Sequence, residues 1–124
     1  MAEDSQMYHE SVETLRPTTL DMHRAVVSVV EELQAIDWYA QRVDAARDPD
    51  LRAILQHNAD EEKEHAAMLL EWIRRHDPVF EAQLRAHLFR PGPIVTAAER
   101  AEAADGGRRP AAPSSVGSLR EVRT

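Results

Sequence analysis

Apolar residues recur at alternating intervals of four and three along the middle of the chain. Met22, Val26, Val29, Leu33, Ile36, Ala40 and Val43 form one such series; Leu51, Leu55, Asn58, Glu62, His65, Leu69 and Trp72 form a second. This spacing returns side chains to one face of an α-helix, so the pattern predicts two long helices, each with a face committed to a partner helix. The first is expected over residues 17–46, because Pro17 suits a first turn and no further proline occurs before Pro49. An upstream extension through Val12 and Leu15 is a weaker expectation. Arg47-Asp48-Pro49-Asp50 marks a short interhelical turn, since proline disfavours helix in the residue before it and suits the first turn of the next helix. The second helix is expected over residues 50–76, with Arg74, Arg75 and His76 complementing its C-terminal dipole before Pro78. A shorter helix is expected over residues 79–88, with Pro91 and Pro93 ending it and room for one more turn near 95–104. The organisation predicted is a flexible N-terminal arm (1–12), an all-α domain (13–96) and a disordered linker with a C-terminal tail (97–124). In the tail, Gly106, Gly107, Pro110, Pro113, Ser114 and Ser115 leave too little apolar surface to offset the entropy of ordering.

The anomaly lies in the second series, where Glu62 and His65 occupy core positions. An unpartnered buried carboxylate costs several kcal/mol, so such a position calls for a cation or a matching charge. Glu62-x-x-His65 sends both side chains from one helix face, the arrangement by which di-iron carboxylate bundles hold metal with further glutamates from neighbouring helices. Glu32 is the candidate on the first helix. It lies 16 residues before Asp48 and Glu62 lies 14 after it, about 24 and about 21 Å along antiparallel helices and so level within one turn. One chain then offers two carboxylates and one imidazole, half of a di-iron site. Two helices cannot enclose a core, whereas a two-fold dimer would form a four-helix bundle and complete the ligand set. The chemistry expected is Fe(II) binding at two adjacent positions, two Fe per dimer, with electron transfer to O₂ to give a bridged Fe(III) pair.

Composition narrows the alternatives. Without cysteine, disulfides, thiolate zinc sites, iron–sulfur clusters and cysteine nucleophiles are excluded, leaving oxygen and imidazole as ligands. Oxygen with one imidazole favours hard or borderline ions that change valence over a structural zinc. Residues 1–90 carry 18 acidic against 10 basic residues, a net of −8, while residues 91–124 carry 4 against 5, a net of +1. An acidic body suits cations and argues against nucleic acid. No apolar run of membrane-spanning length occurs, and Glu3 and Asp4 do not suit a signal peptide, so no membrane partner is expected and the protein is expected to be soluble and cytoplasmic.

Several stretches resemble the encapsulated ferritins, two-helix ferritin-like proteins housed in encapsulin nanocompartments. They are His23-Arg24-Ala25 through Val29, Glu31-Glu32-Leu33, Asp37-Trp38-Tyr39, Gln41 through Ala45, and His57-Asn58 leading into Glu61-Glu62-Lys63-Glu64-His65-Ala66. The resemblance implies an antiparallel two-helix hairpin with a short C-terminal helix, dimers that build a ferroxidase site, and a decameric ring of five dimers. It implies Glu32, Glu62 and His65 as iron ligands, with Tyr39 beside the metal. It also implies a metal entry site near Trp38 built from two glutamates; Glu31 matches the first and Gln34 stands at the second, which predicts weaker or slower metal capture. His57, Glu61 and Glu64 match peripheral metal positions, where calcium is an alternative to iron. Ser115-Val116-Gly117-Ser118-Leu119-Arg120 looks like the targeting peptide that docks cargo on the inner wall of an encapsulin shell, with Val116 and Leu119 as anchors. The implied setting is inside that nanocompartment, which stores the iron.

Two rival classes stand beside this reading. One is a non-catalytic acidic helical protein that binds metal structurally or meets a basic partner. The other is a rubrerythrin-like peroxidase or di-iron oxygenase, disfavoured by the absence of cysteine and by the shortness of the chain.

Overall fold

The computed structural model describes residues 8–96 together with 99 and 102, and its regular elements are all helical. Val12–Thr14 forms a single 3-10 turn, separate from the first long helix. Leu15 and Arg16 between them are extended, with ψ of 136° and 152°, because the ring of Pro17 disfavours a helical Arg16. Helix α1 spans Pro17–Ala45, α2 spans Pro49–His76 and α3 spans Pro78–His87. The observed ends lie within one residue of those read from the chain.

α1 and α2, of 29 and 28 residues, are each about 43 Å long and pack against one another as an antiparallel hairpin. The turn is held at both ends. Asp48 caps α2, its carboxylate accepting the Leu51 N–H at 2.9 Å, and Pro49 fills the first helical position, where no N–H is needed. Arg52 Nε donates to the Val43 carbonyl at 3.1 Å, tying the start of α2 to the last turns of α1. Asp77 caps α3 in the same way, accepting the Phe80 N–H at 2.9 Å.

Among the described residues the only buried side chains are Ala25 on α1 and Ala59, Ala66 and Ile73 on α2. The three on α2 are seven apart, the repeat of a helix seam, and the small size of Ala59 and Ala66 suits close approach of the two helices. On α1 Met22, Val29, Ile36 and Val43 of the apolar series are half-buried, as are Ser28, Glu32, Ala35 and Tyr39, and Ala25 is buried. Val26, Leu33 and Ala40 of that series are exposed, Leu33 by 54%, as are Leu51 and Ile54 on α2. Each residue turns about 100° round a helix, so Leu33 stands well aside from Glu32. Part of the apolar series therefore flanks the seam within the chain and is left uncovered by it.

The described residues fall into two compact units that divide between Ala86 and His87. In the described part of the second, Phe89 (φ 58°) and Gly92 (φ 88°) take left-handed conformations in the turns after α3. Thr96 and Glu99 form a reciprocal capping box: the Glu99 carboxylate accepts the Thr96 N–H at 3.1 Å, and the Thr96 hydroxyl accepts the Glu99 N–H at 3.2 Å. Among the described residues no helix is long and apolar enough to cross a membrane.

Candidate metal centre

The middle of the hairpin brings together Glu32 from α1 and Glu62 and His65 from α2. One ligand atom from each lies within 4.8 Å of the others, and no other trio of metal-ligating side chains among the described residues converges in this way. His65 Nδ1 lies 3.4 Å from Glu32 Oε2 and 3.5 Å from Glu62 Oε2. The i, i+3 spacing on α2 explains why Glu62 and His65 share a face, and the antiparallel pairing brings Glu32 to their level. The two glutamate side chains are 22% and 24% exposed and His65 42%, so the site is sheltered yet open on one side.

Its charges are not balanced by the protein alone. Glu32 Oε2 is closed to solvent and makes no hydrogen bond. The neighbouring Glu62 carboxyl, together with burial, raises the Glu32 pKa above its ordinary value, while His65 pulls the other way. Burial tends to discharge His65, but the Glu32 and Glu62 carboxylates outweigh it and hold the imidazole above its usual range. Two carboxylates crowded on one imidazole and an orphaned buried oxygen fit a divalent cation, which would satisfy every group at once.

The other candidate residues are not gathered into a cluster within one chain. Tyr39 is half-buried on the Glu32 face of α1, with the Arg42 guanidinium 5.3 Å from its ring centre. Glu31 and Trp38 are exposed, Trp38 by 51%, and Gln34 is half-buried. His57 Nε2 pairs with Glu61 at 2.7 Å, while Glu64 lies along an outward groove with Ala67, Met68, Glu71, Trp72 and Arg75. Residues 115–120 lie outside the described residues.

A second charged cluster sits where α2 hands over to α3. Arg74 grips the Glu71 carboxylate with two nitrogens at 2.6 and 2.7 Å and reaches Glu81 at 2.8 Å. Arg75 adds a contact to Glu71 at 2.7 Å and Arg85 one to Glu81 at 2.9 Å. These guanidiniums, Arg74 foremost, push the Glu71 pKa down to about 2. Reading Arg74 and Arg75 as dipole partners of α2 missed this bridge; the signal available was the spacing of three, four and seven residues between the charges.

Residues 7–91 match the EncFtn-like family. The chain is 58% identical to the encapsulated ferritin-like protein of Rhodospirillum rubrum over 107 residues, covering 86% of this chain and 76% of that protein. It is 36% identical to the encapsulin nanocompartment cargo protein EncC of Myxococcus xanthus over 114 residues, covering 83% of this chain and 88% of that protein. A crystal structure of a Nitrosomonas europaea protein superposes with a TM-score of 0.70 at 57% identity, covering 72% of this chain and 98% of that one. With a two-helix body of this length carrying Glu32, Glu62 and His65 at its middle, the chain belongs to the EncFtn-like family of encapsulated ferritin-like proteins.

Proposed function

We propose that the chain is a ferroxidase subunit: two copies dimerise into a four-helix bundle and join their Glu32, Glu62 and His65 sets into a site for two Fe(II) ions. The observation that carries this reading is the convergence of those three side chains with Glu32 Oε2 buried and without a hydrogen bond. Self-association is supported by the sparse core of the single chain and by the exposed Val26, Leu33, Leu51 and Ile54, since uncovered apolar surface on both helices favours burial against another copy. Iron is the substrate here. Each Fe(II) gives one electron to O₂, and the carboxylates stabilise the Fe(III) that forms by matching its higher charge. His65 supplies the nitrogen ligand through Nδ1, the atom that faces both carboxylates.

Tyr39 would stand beside the metal. Glu31, Gln34 and Trp38 would line the approach for incoming ions, with Gln34 contributing no charge there. Membership of a family whose relatives include an encapsulin cargo protein supports the further reading that dimers form a decameric ring inside such a compartment. Ser115, Val116, Gly117, Ser118, Leu119 and Arg120 would dock the ring on the shell, and peripheral metal would sit near His57, Glu61 and Glu64.

Adding Fe(II) without oxygen and then admitting air tests the central claim. Two irons per dimer and a ferric absorbance are expected; a protein that stays monomeric with iron, or binds it without oxidising it, refutes the proposal in favour of a non-catalytic metal-binding role. Deleting residues 114–124 is expected to abolish loading into shells and leave oxidation unchanged, and continued loading would reject the targeting role.

A further inference from the structure

Arg42 stands apart from most other arginines of the hairpin. Arg24, Arg74, Arg75 and Arg85 each meet a carboxylate at 2.6 to 2.9 Å, and Arg52 meets a backbone carbonyl. Among the described residues no carboxylate pairs with Arg42, and the group it does meet is the ring of Tyr39 at 5.3 Å. Tyr39 lies seven residues after Glu32 on α1, two turns on and on the same face, about 10 Å along the axis. Long side chains of a helix lean toward its N-terminus. Arg42, three residues further on, reaches back to the Tyr39 ring.

The geometry points to Arg42 as a positioning residue that holds the Tyr39 ring, on the same helix face as Glu32, and protects it from one-electron oxidation. This inference rests on the iron-oxidising reading only for its purpose, since Fe(II) and O₂ together generate one-electron oxidants. Oxidation removes one electron and the phenolic proton from Tyr39, leaving a neutral phenoxyl radical that couples with others or stays as damage. The electron passes to the oxidant and the proton to solvent. A guanidinium over the ring is attracted to its electron-rich face. When the electron leaves before the proton, the ring is transiently positive and repelled by the guanidinium, so the cation makes that stage harder. A neutral side chain of similar length cannot do this, whereas another cation can.

The test uses the full-length, metal-free protein and photogenerated tris(bipyridine)ruthenium(III) as the oxidant, with radical yield read by electron paramagnetic resonance and its site by peptide mapping. Tyr8, stacked on His23 at 4.3 Å, serves as the internal reference. Arg42→Gln is expected to raise oxidation at Tyr39 relative to Tyr8 by about two- to fivefold, the factor an exposed cation–ring contact is worth. Arg42→Lys should stay near wild type, and Tyr39→Phe should remove the added signal. Equal Tyr39-to-Tyr8 ratios in wild type and Arg42→Gln, or a Lys variant as sensitive as the Gln variant, overturns the proposal. This arm contains no iron, so a wild-type protein that fails to oxidise Fe(II) would sink the functional reading without deciding this one.

Discussion

The hairpin carries two clusters of acids, and they have opposite electrostatic fates. At the α2–α3 corner, Glu71 and Glu81 are surrounded by Arg74, Arg75 and Arg85, and the Glu71 pKa falls to about 2. At mid-hairpin, Glu32 and Glu62 face each other and one imidazole, the Glu32 pKa rises, and a buried oxygen makes no hydrogen bond. The corner is complete as it stands; the middle is satisfied only by adding positive charge. An acidic cluster is therefore informative when its neutralising groups are missing, and uninformative when they are already supplied.

The largest effects should separate the two clusters by function. Glu32→Ala, Glu62→Ala and His65→Ala are each expected to cut Fe(II) oxidation by more than about a hundredfold, since losing a ligand exceeds losing the outer partner of one. Arg74→Ala should keep the wild-type rate. Stopped-flow absorbance measures both, and a ligand variant at wild-type speed would erase the distinction.

Next in size is stabilisation by metal. Divalent cation at about 100 times its Kd should raise stability by about 2.7 kcal/mol, a melting shift on the order of 10–20 °C for a body of this size. The shift should vanish in Glu32→Ala and persist in Arg74→Ala. Calorimetry with sedimentation should show it together with dimerisation, and an unchanged sedimentation coefficient would break the link between metal and assembly.

The pH response should sharpen the contrast. With the Glu32 pKa raised from 4.5, the metal-free fold prefers the protonated acid. That contribution is full below about 4.5 and is lost as pH rises through the folded-state value. His65, raised from 6.5, acts with the same sign, its contribution full below 6.5 and lost above. Glu71 acts oppositely: its contribution is present above 4.5 and is lost as pH falls toward about 2. Melting temperature against pH should thus flatten on the neutral side in Glu32→Gln and on the acid side in Glu71→Gln; both variants flattening the same limb would contradict the assignment.

The smallest effect belongs to Arg74→Ala itself, a lowering of the melting point that shrinks as salt is added, because the corner is half-exposed and its charges are screened. Insensitivity to salt would show that Arg74 acts there by packing.

Much of this molecule was legible in its residues. Pro17, the Asp48-Pro49 cap and Pro78 delimit α1 and α2 through purely local chemistry, and the mean rise of a helix sufficed to set Glu32 level with Glu62. The Glu62-x-x-His65 spacing announced the candidate site because a polar residue in an apolar series is itself an energetic anomaly. Three features required tertiary structure. Which members of the apolar series on α1 are sheltered by α2 could not be read, because the series has one period throughout; Met22, Val29, Ile36 and Val43 are half-buried beside the buried Ala25, and Val26, Leu33 and Ala40 are left exposed. The corner bridge from Arg74 to Glu81 depends on the angle at which α3 departs. The lack of a hydrogen bond at the buried Glu32 Oε2 depends on how α1 and α2 seat that oxygen out of solvent. Periodicity, caps and breakers are local and are written residue by residue. The pairing of faces and the balance of charge in a shelter are properties of surfaces brought together, and only the folded chain decides them.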